Sequence, residues 1–147
     1  MPQVFLDRDI FIDVLARREE FYAPAAMLLS LAERKQLDVF TSAPAIANVY
    51  YVVSRFSTRV KARASIRKLR SLVSIVSVNE QIIDLALNSA FPDLEDAIQY
   101  YAAQRAGIKF LITRNLEDYK SAEISVCTPD QYLRILLTQE KDAEAFA

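Results

Sequence analysis

Val4-Phe5-Leu6-Asp7-Arg8-Asp9-Ile10-Phe11-Ile12-Asp13 is the stretch that decides the fold. Val4 to Leu6 is a short apolar run closing on Asp7, the pattern of a buried strand that ends on an acid. Phe11, Ile12 and Leu15 then continue at helical spacing. The rest of the chain repeats this alternation. Ala25, Leu28, Leu29 and Ala32 keep a helical register between Phe21 and Arg34, and Leu37 to Thr41 reads as a second strand. Ser42, with Pro44 just inside, opens a helix carrying Ile46, Val49, Tyr50 and Val53 on one face. Thr58 caps the next, whose stripe is Ala62, Ile66 and Leu69. Leu72 to Val78 is β-rich, Asn79 caps a helix, and Pro92-Asp93 starts another. Gly107 stops that helix as the one place that needs a left-handed residue. Ile108 to Thr113 and Ile124 to Cys127 are strands, and Thr128-Pro129-Asp130-Gln131 signals a final helix. This order predicts an α/β domain with a mostly parallel sheet over residues 1–137, with 138–147 as a flexible tail.

Composition narrows the chemistry. The 147 residues are 52% hydrophobic and 25% charged, enough for one domain with a real core. There is no histidine, which excludes His bases and His metal ligands. One cysteine, Cys127, excludes a disulfide and a Cys-based zinc site, and its strand setting reads as a small buried apolar group. One glycine excludes the P-loop and the dinucleotide-binding loop. No apolar run is long enough for a membrane span and no signal-peptide layout is visible; the His, Cys and Gly counts fit a reducing, cytoplasmic setting. What remains is chemistry by carboxylates, amides, hydroxyls, Lys and Arg.

Three acidic spots stand where a strand or loop meets a helix: Asp7-Arg8-Asp9, Asp93-Leu94-Glu95-Asp96, and Thr113-Arg114-Asn115-Leu116-Glu117-Asp118. A parallel sheet gathers such points at its carboxyl edge. Clustered carboxylates raise one another's pKa unless a cation neutralises them, and hard oxygen ligands suit Mg²⁺ or Mn²⁺. Such an ion holds and polarises a phosphodiester without histidine. Each spot also has a plain structural reading. Asp9 can cap the following helix, Asp93 with Asp96 resembles a capping pair, and Asn115 to Asp118 can be an Asx-turn. Asp7 has no evident capping task and points to function.

At these residues the sequence resembles the PIN domains of VapC-type toxin ribonucleases. The matching pieces are Val4 to Asp13, Asp93-Leu94-Glu95-Asp96-Ala97-Ile98-Gln99, and Leu111 to Tyr119. The resemblance implies a single PIN-like domain, an α/β/α sandwich. It also implies a Mg²⁺- or Mn²⁺-dependent endoribonuclease held by an antitoxin and usually dimeric. It makes Asp7, Asp96 and Asp118 the metal-binding catalytic acids, with Asp9, Asn48, Asp93, Thr113 and Asn115 auxiliary. Two positions depart from the family pattern. Arg8-Asp9 replaces Thr-Asn, and Asn48 stands where many members carry Glu; Asp9 is a candidate replacement for the missing charge. Two other readings stay open: a PIN-like module that binds RNA or protein with a weakened site, and a D-x-D aspartate phosphatase. The phosphatase lacks its Gly/Thr-rich loops here.

Net charge is −1, but the distribution is lopsided. Between Val39 and Asn79 there are seven basic and no acidic residues, leaving eleven basic against nineteen acidic elsewhere. Arg59, Arg63, Arg67 and Arg70 share one helix face. That stripe can track RNA phosphates, hold an acidic partner, or simply face solvent. With Arg114 it forms the expected RNA-binding set.

Overall fold

The computed structural model describes residues 1–119 and 123–146. Five strands form one sheet: β1 (Gln3–Leu6), β2 (Asp38–Ser42), β3 (Val73–Val76), β4 (Phe110–Ile112) and β5 (Ser125–Cys127). Their order is β3-β2-β1-β4-β5, and every neighbouring pair is parallel. The helices are α1 (Arg8–Leu15), α2 (Glu19–Glu33), α3 (Ala43–Phe56), α4 (Arg59–Leu72), α5 (Glu80–Leu87), α6 (Leu94–Arg105) and α7 (Pro129–Phe146).

Side-chain alternation along β1 builds three layers. Val4 and Leu6 enter one apolar cluster with residues of α1, α2, α3 and α4, and with Tyr132 of α7. Phe5 faces the other way, into a cluster with Ile82 of α5 and Tyr100, Ala102 and Ala103 of α6. All three β1 residues are fully buried, as a central strand covered on both faces must be. The chain leaves β1 toward β2 on one side and returns to β4 on the other. The crevice at the carboxyl end of β1 and β4 is therefore the topological switch point.

Local signals set most element ends. Ser42, Thr58, Asn79 and Asp93 each accept a backbone N–H three residues on. Thr128 and Gln131 form a reciprocal capping box. Gly107 has φ +76°, and its N–H and that of Ile108 close a Schellman motif on α6. It is not alone. Arg17 (φ 48°) and Lys35 (φ 57°) end α1 and α2 by the same motif without glycine. Helix stops that carry long side chains leave no sequence mark. The segment 138–146, read from sequence as tail, continues α7 as helix, with residues 139–145 exposed. Leu133 and Leu136, five and two residues before that segment, pack against the core, and the helix propagates from that anchored start.

Candidate active site

Asp7 follows β1 directly, and its N–H continues the ladder to Ile112 O at 3.0 Å. Its Oδ1 accepts the Arg8 N–H at 2.7 Å, so Asp7 is the N-cap of α1. The sequence shows no capping task for Asp7 and offers Asp9 as an alternative cap; the structure gives the cap to Asp7. The second oxygen, Oδ2, accepts from Thr113 Oγ1 at 2.9 Å and Tyr119 Oη at 3.2 Å. Capping thus consumes one oxygen and aims the other across the switch point.

Asp9 lies in the first turn of α1 and is buried. Its Oδ2 faces the Arg114 N–H at 3.1 Å, Asn115 Nδ2 at 3.2 Å and Thr113 Oγ1 at 3.4 Å. Its Oδ1 is buried with no hydrogen-bond partner among the described residues. Burial, then repulsion from Asp7, pushes the Asp9 carboxyl up to about 7.

Asp96 comes from the opposite layer, in the first turn of α6, where its N–H is taken by Asp93 Oδ1 at 2.9 Å. Its Oδ1 lies 3.5 Å from Tyr119 Oη and 4.0 Å from Arg8 Nη1. Burial, and then Asp7, Asp93 and Asp118, push Asp96 up to about 7. The Tyr119 hydroxyl therefore sits between Asp7 and Asp96. Burial, and then those two carboxylates, push its own pKa up, so it stays a neutral donor.

The other expected site residues are distributed unevenly. Thr113 and Asn115 join the cluster through the bonds above. Asp118 is exposed in the 3₁₀ turn Leu116–Tyr119, near enough to repel Asp96. Asn48 is half-buried on α3, with no hydrogen bond to the carboxylates among the described residues. Arg59, Arg63, Arg67 and Arg70 are exposed on α4, in no ion pair among the described residues. Arg70 turns back to the Val73 carbonyl at 3.0 Å. Arg114, expected on RNA, is engaged elsewhere. Its Nε and Nη2 reach Asp13 at 2.6 and 3.1 Å, and its guanidinium lies 4.1 Å over the Phe21 ring.

Sequence reading gives no role to Asp13, Tyr119 or Gln99. Asp13 is fully buried and also pairs with Arg18 at 3.5 Å. With Arg114 it pins the segment after β4 onto α1. Gln99, one turn beyond Asp96, accepts from the Ser42 hydroxyl in the core. An acid inside the apolar run Ile10 to Leu15 was the one available signal for Asp13.

Among the described residues, no three acidic groups already stand in a metal-holding arrangement. The donors nonetheless suit a hard divalent cation. They are all oxygens, two of them converge on one hydroxyl, and Asp9 Oδ1 is buried without a hydrogen-bond partner among the described residues.

Fold and site define a class: a parallel α/β domain with carboxylates from β1, α1 and α6 gathered at the switch point. The chain belongs to the PIN domain family, whose model matches residues 3–117. It is 27% identical over 135 residues to Ribonuclease VapC1 of Aquifex aeolicus (strain VF5), covering 88% of this chain and 92% of that protein. Two solved structures share the fold. VapBC2 from Rickettsia felis, bound to a promoter DNA fragment, has a TM-score of 0.62 at 15% identity, covering 85% of this chain and 96% of the other. Mycobacterium tuberculosis VapC20, a Sarcin-Ricin loop cleaving toxin, has a TM-score of 0.59 at 16% identity, covering 74% and 86%. PIN-domain nucleases generally use divalent metal ions.

Proposed function

We propose that this chain is a Mg²⁺- or Mn²⁺-dependent endoribonuclease, the toxin of a toxin–antitoxin pair. The observation that carries the reading is the convergence of Asp7 Oδ2 and Asp96 Oδ1 on one point at the switch crevice. The 27% identity to a ribonuclease and the VapBC likeness support the substrate and the antitoxin partner.

Asp7 and Asp96 hold the ion in this reading, with Asp118 reaching it directly or through water. Asp9 supplies the charge that Asn48 does not. Thr113 orients Asp7, Asn115 orients Asp9, and Asp93 fixes the turn that bears Asp96. When bound, the ion neutralises the carboxylates, holds a phosphodiester oxygen and activates water for attack. The exposed arginines of α4 attract the RNA backbone without base preference. Homodimerisation and a cytoplasmic setting complete the proposal; no described helix is long and apolar enough to cross a membrane.

The test is cleavage of mixed-sequence RNA in Mg²⁺, Mn²⁺ or EDTA, with Asp7→Asn and Asp96→Asn beside the wild type. Metal-dependent cutting that both substitutions abolish is the expected result. Cutting that survives both substitutions refutes the site. RNA binding without cleavage instead identifies a non-cutting binding module, the reading that Asn48 favours.

A further inference from the structure

We propose that Arg8 is the side chain that grips a non-bridging oxygen of the scissile phosphate, an inference that rests on the ribonuclease reading above. Arg8 is the first residue of α1, immediately after Asp7. Its Nη1 lies 2.8 Å from Glu95 Oε1 and 4.0 Å from Asp96 Oδ1. No other Lys or Arg side-chain nitrogen among the described residues lies within 4.0 Å of a carboxylate oxygen of Asp7, Asp9 or Asp96. Arg114, the other arginine at this edge, is committed to Asp13.

The approach to Glu95 is an ion pair without hydrogen-bond alignment. Nη1 is buried against Glu95 Oε1, with no aligned hydrogen-bond acceptor among the described residues. Buried donors are rarely left unaligned, so an acceptor better placed than Glu95 Oε1 fits beside them. The side chain as a whole is 28% exposed, so part of it faces solvent at this edge. A guanidinium is permanently charged and presents donors in a planar fork that matches phosphate oxygens. Asp7, Asp9, Glu95 and Asp96 otherwise repel a phosphodiester, and Arg8 is the cation placed to offset them.

Position also separates this role from simple charge balance. Arg8 and a metal ion both favour Asp96, so they oppose each other there. Removing Arg8 leaves ion binding unchanged or tighter while cleavage falls. A residue that merely braces the carboxylates weakens both together. Arg8 takes and gives no proton; its contribution is the contact to an oxygen whose negative charge grows as phosphorus is attacked.

The experiment compares wild type, Arg8→Gln and Arg8→Lys in the full chain. Mn²⁺ affinity is measured by calorimetry, and cleavage of a labelled mixed-sequence RNA under single-turnover conditions. Melting temperature confirms that each variant is folded. Arg8→Gln is expected to lose roughly 100-fold in cleavage rate with Mn²⁺ affinity equal to or tighter than wild type. Arg8→Lys keeps the charge without the fork and recovers only part of the loss. Arg8→Gln cutting as fast as wild type overturns the role of Arg8 alone. So does a loss of Mn²⁺ affinity in step with the loss of cleavage. A wild type that binds Mn²⁺ and cuts no RNA overturns the ribonuclease reading, and the Arg8 contact with it.

Discussion

If Asp96 holds the proposed ion, proton and metal compete there, and the metal-free protein is predicted to gain stability as pH falls from 8 to 5. The carboxyl titrates at 3.8 when unperturbed and at about 7 in the fold. Between those values the folded chain keeps a proton that the unfolded chain has released. Folding therefore takes up a proton, stability rises as pH falls through 7, and the gain levels off near 4. A difference of about three pH units, at about 1.4 kcal/mol apiece, bounds the effect at roughly 4 kcal/mol. Half of that, roughly 2 kcal/mol, moves the melting temperature of a chain this size by about 4–8 °C. Asp9, also raised to about 7, acts in the same direction. Asp96→Asn keeps the shape and the acceptor for Tyr119 but removes the buried charge. In EDTA at pH 8 it is predicted to melt above wild type, and saturating Mn²⁺ is predicted to raise the wild type only. Thermal melts by circular dichroism across pH 5–8, in EDTA and in Mn²⁺, provide the assay. A metal-free wild type that loses stability on acidification through this window refutes the reasoning. So does an Asp96→Asn chain less stable than wild type at pH 8.

Arg114→Met leaves Asp13 buried with only Arg18 at 3.5 Å, and urea titration is expected to show a loss of about 3 kcal/mol. The double variant Asp13→Asn with Arg114→Met is expected to lose less than the two single losses combined. Lys35→Gly relieves a left-handed backbone at φ 57° and is predicted to add about 1 kcal/mol in the same titration. Gly107→Ala is predicted to cost a similar amount from φ +76° alone, since a Cβ there meets nothing within 4 Å. Arg63→Glu with Arg67→Glu on exposed α4 is expected to weaken RNA binding and flatten its salt dependence by about 1.4 in log–log slope, with the melting temperature unchanged.

Sequence legibility follows the range of the interactions. Caps such as Ser42, Asn79 and Asp93 act over three residues, and their side chains and targets lie in one short window. The parallel sheet was legible from alternation of strands and helices, whereas its order depends on pairings such as Phe5 with Leu111. Asp7 misled because one carboxylate does two things, capping α1 with one oxygen and facing Thr113 with the other. Asp13 received no role because its partner, Arg114, is 101 residues away. Tyr119 differs from phenylalanine by one hydroxyl, and only the fold shows that hydroxyl between two acids. The end of α7 carries few apolar residues, so no hydrophobic stripe marks its length.

The hydrogen bond from Thr113 to Asp7 spans 106 positions, and that from Tyr119 spans 112. Synthesis therefore delivers the two halves of the carboxylate edge far apart in time. At roughly 5–20 residues per second, Asp7 waits about 5–20 s before Thr113 is even polymerised. Through that interval a nascent chain carries the first acid without the hydroxyls that aim it. Whatever this edge does, it does only once the chain from Asp7 through Tyr119 has been made, and a ribosome that stalls before Thr113 leaves the edge without the hydroxyls that aim its first acid.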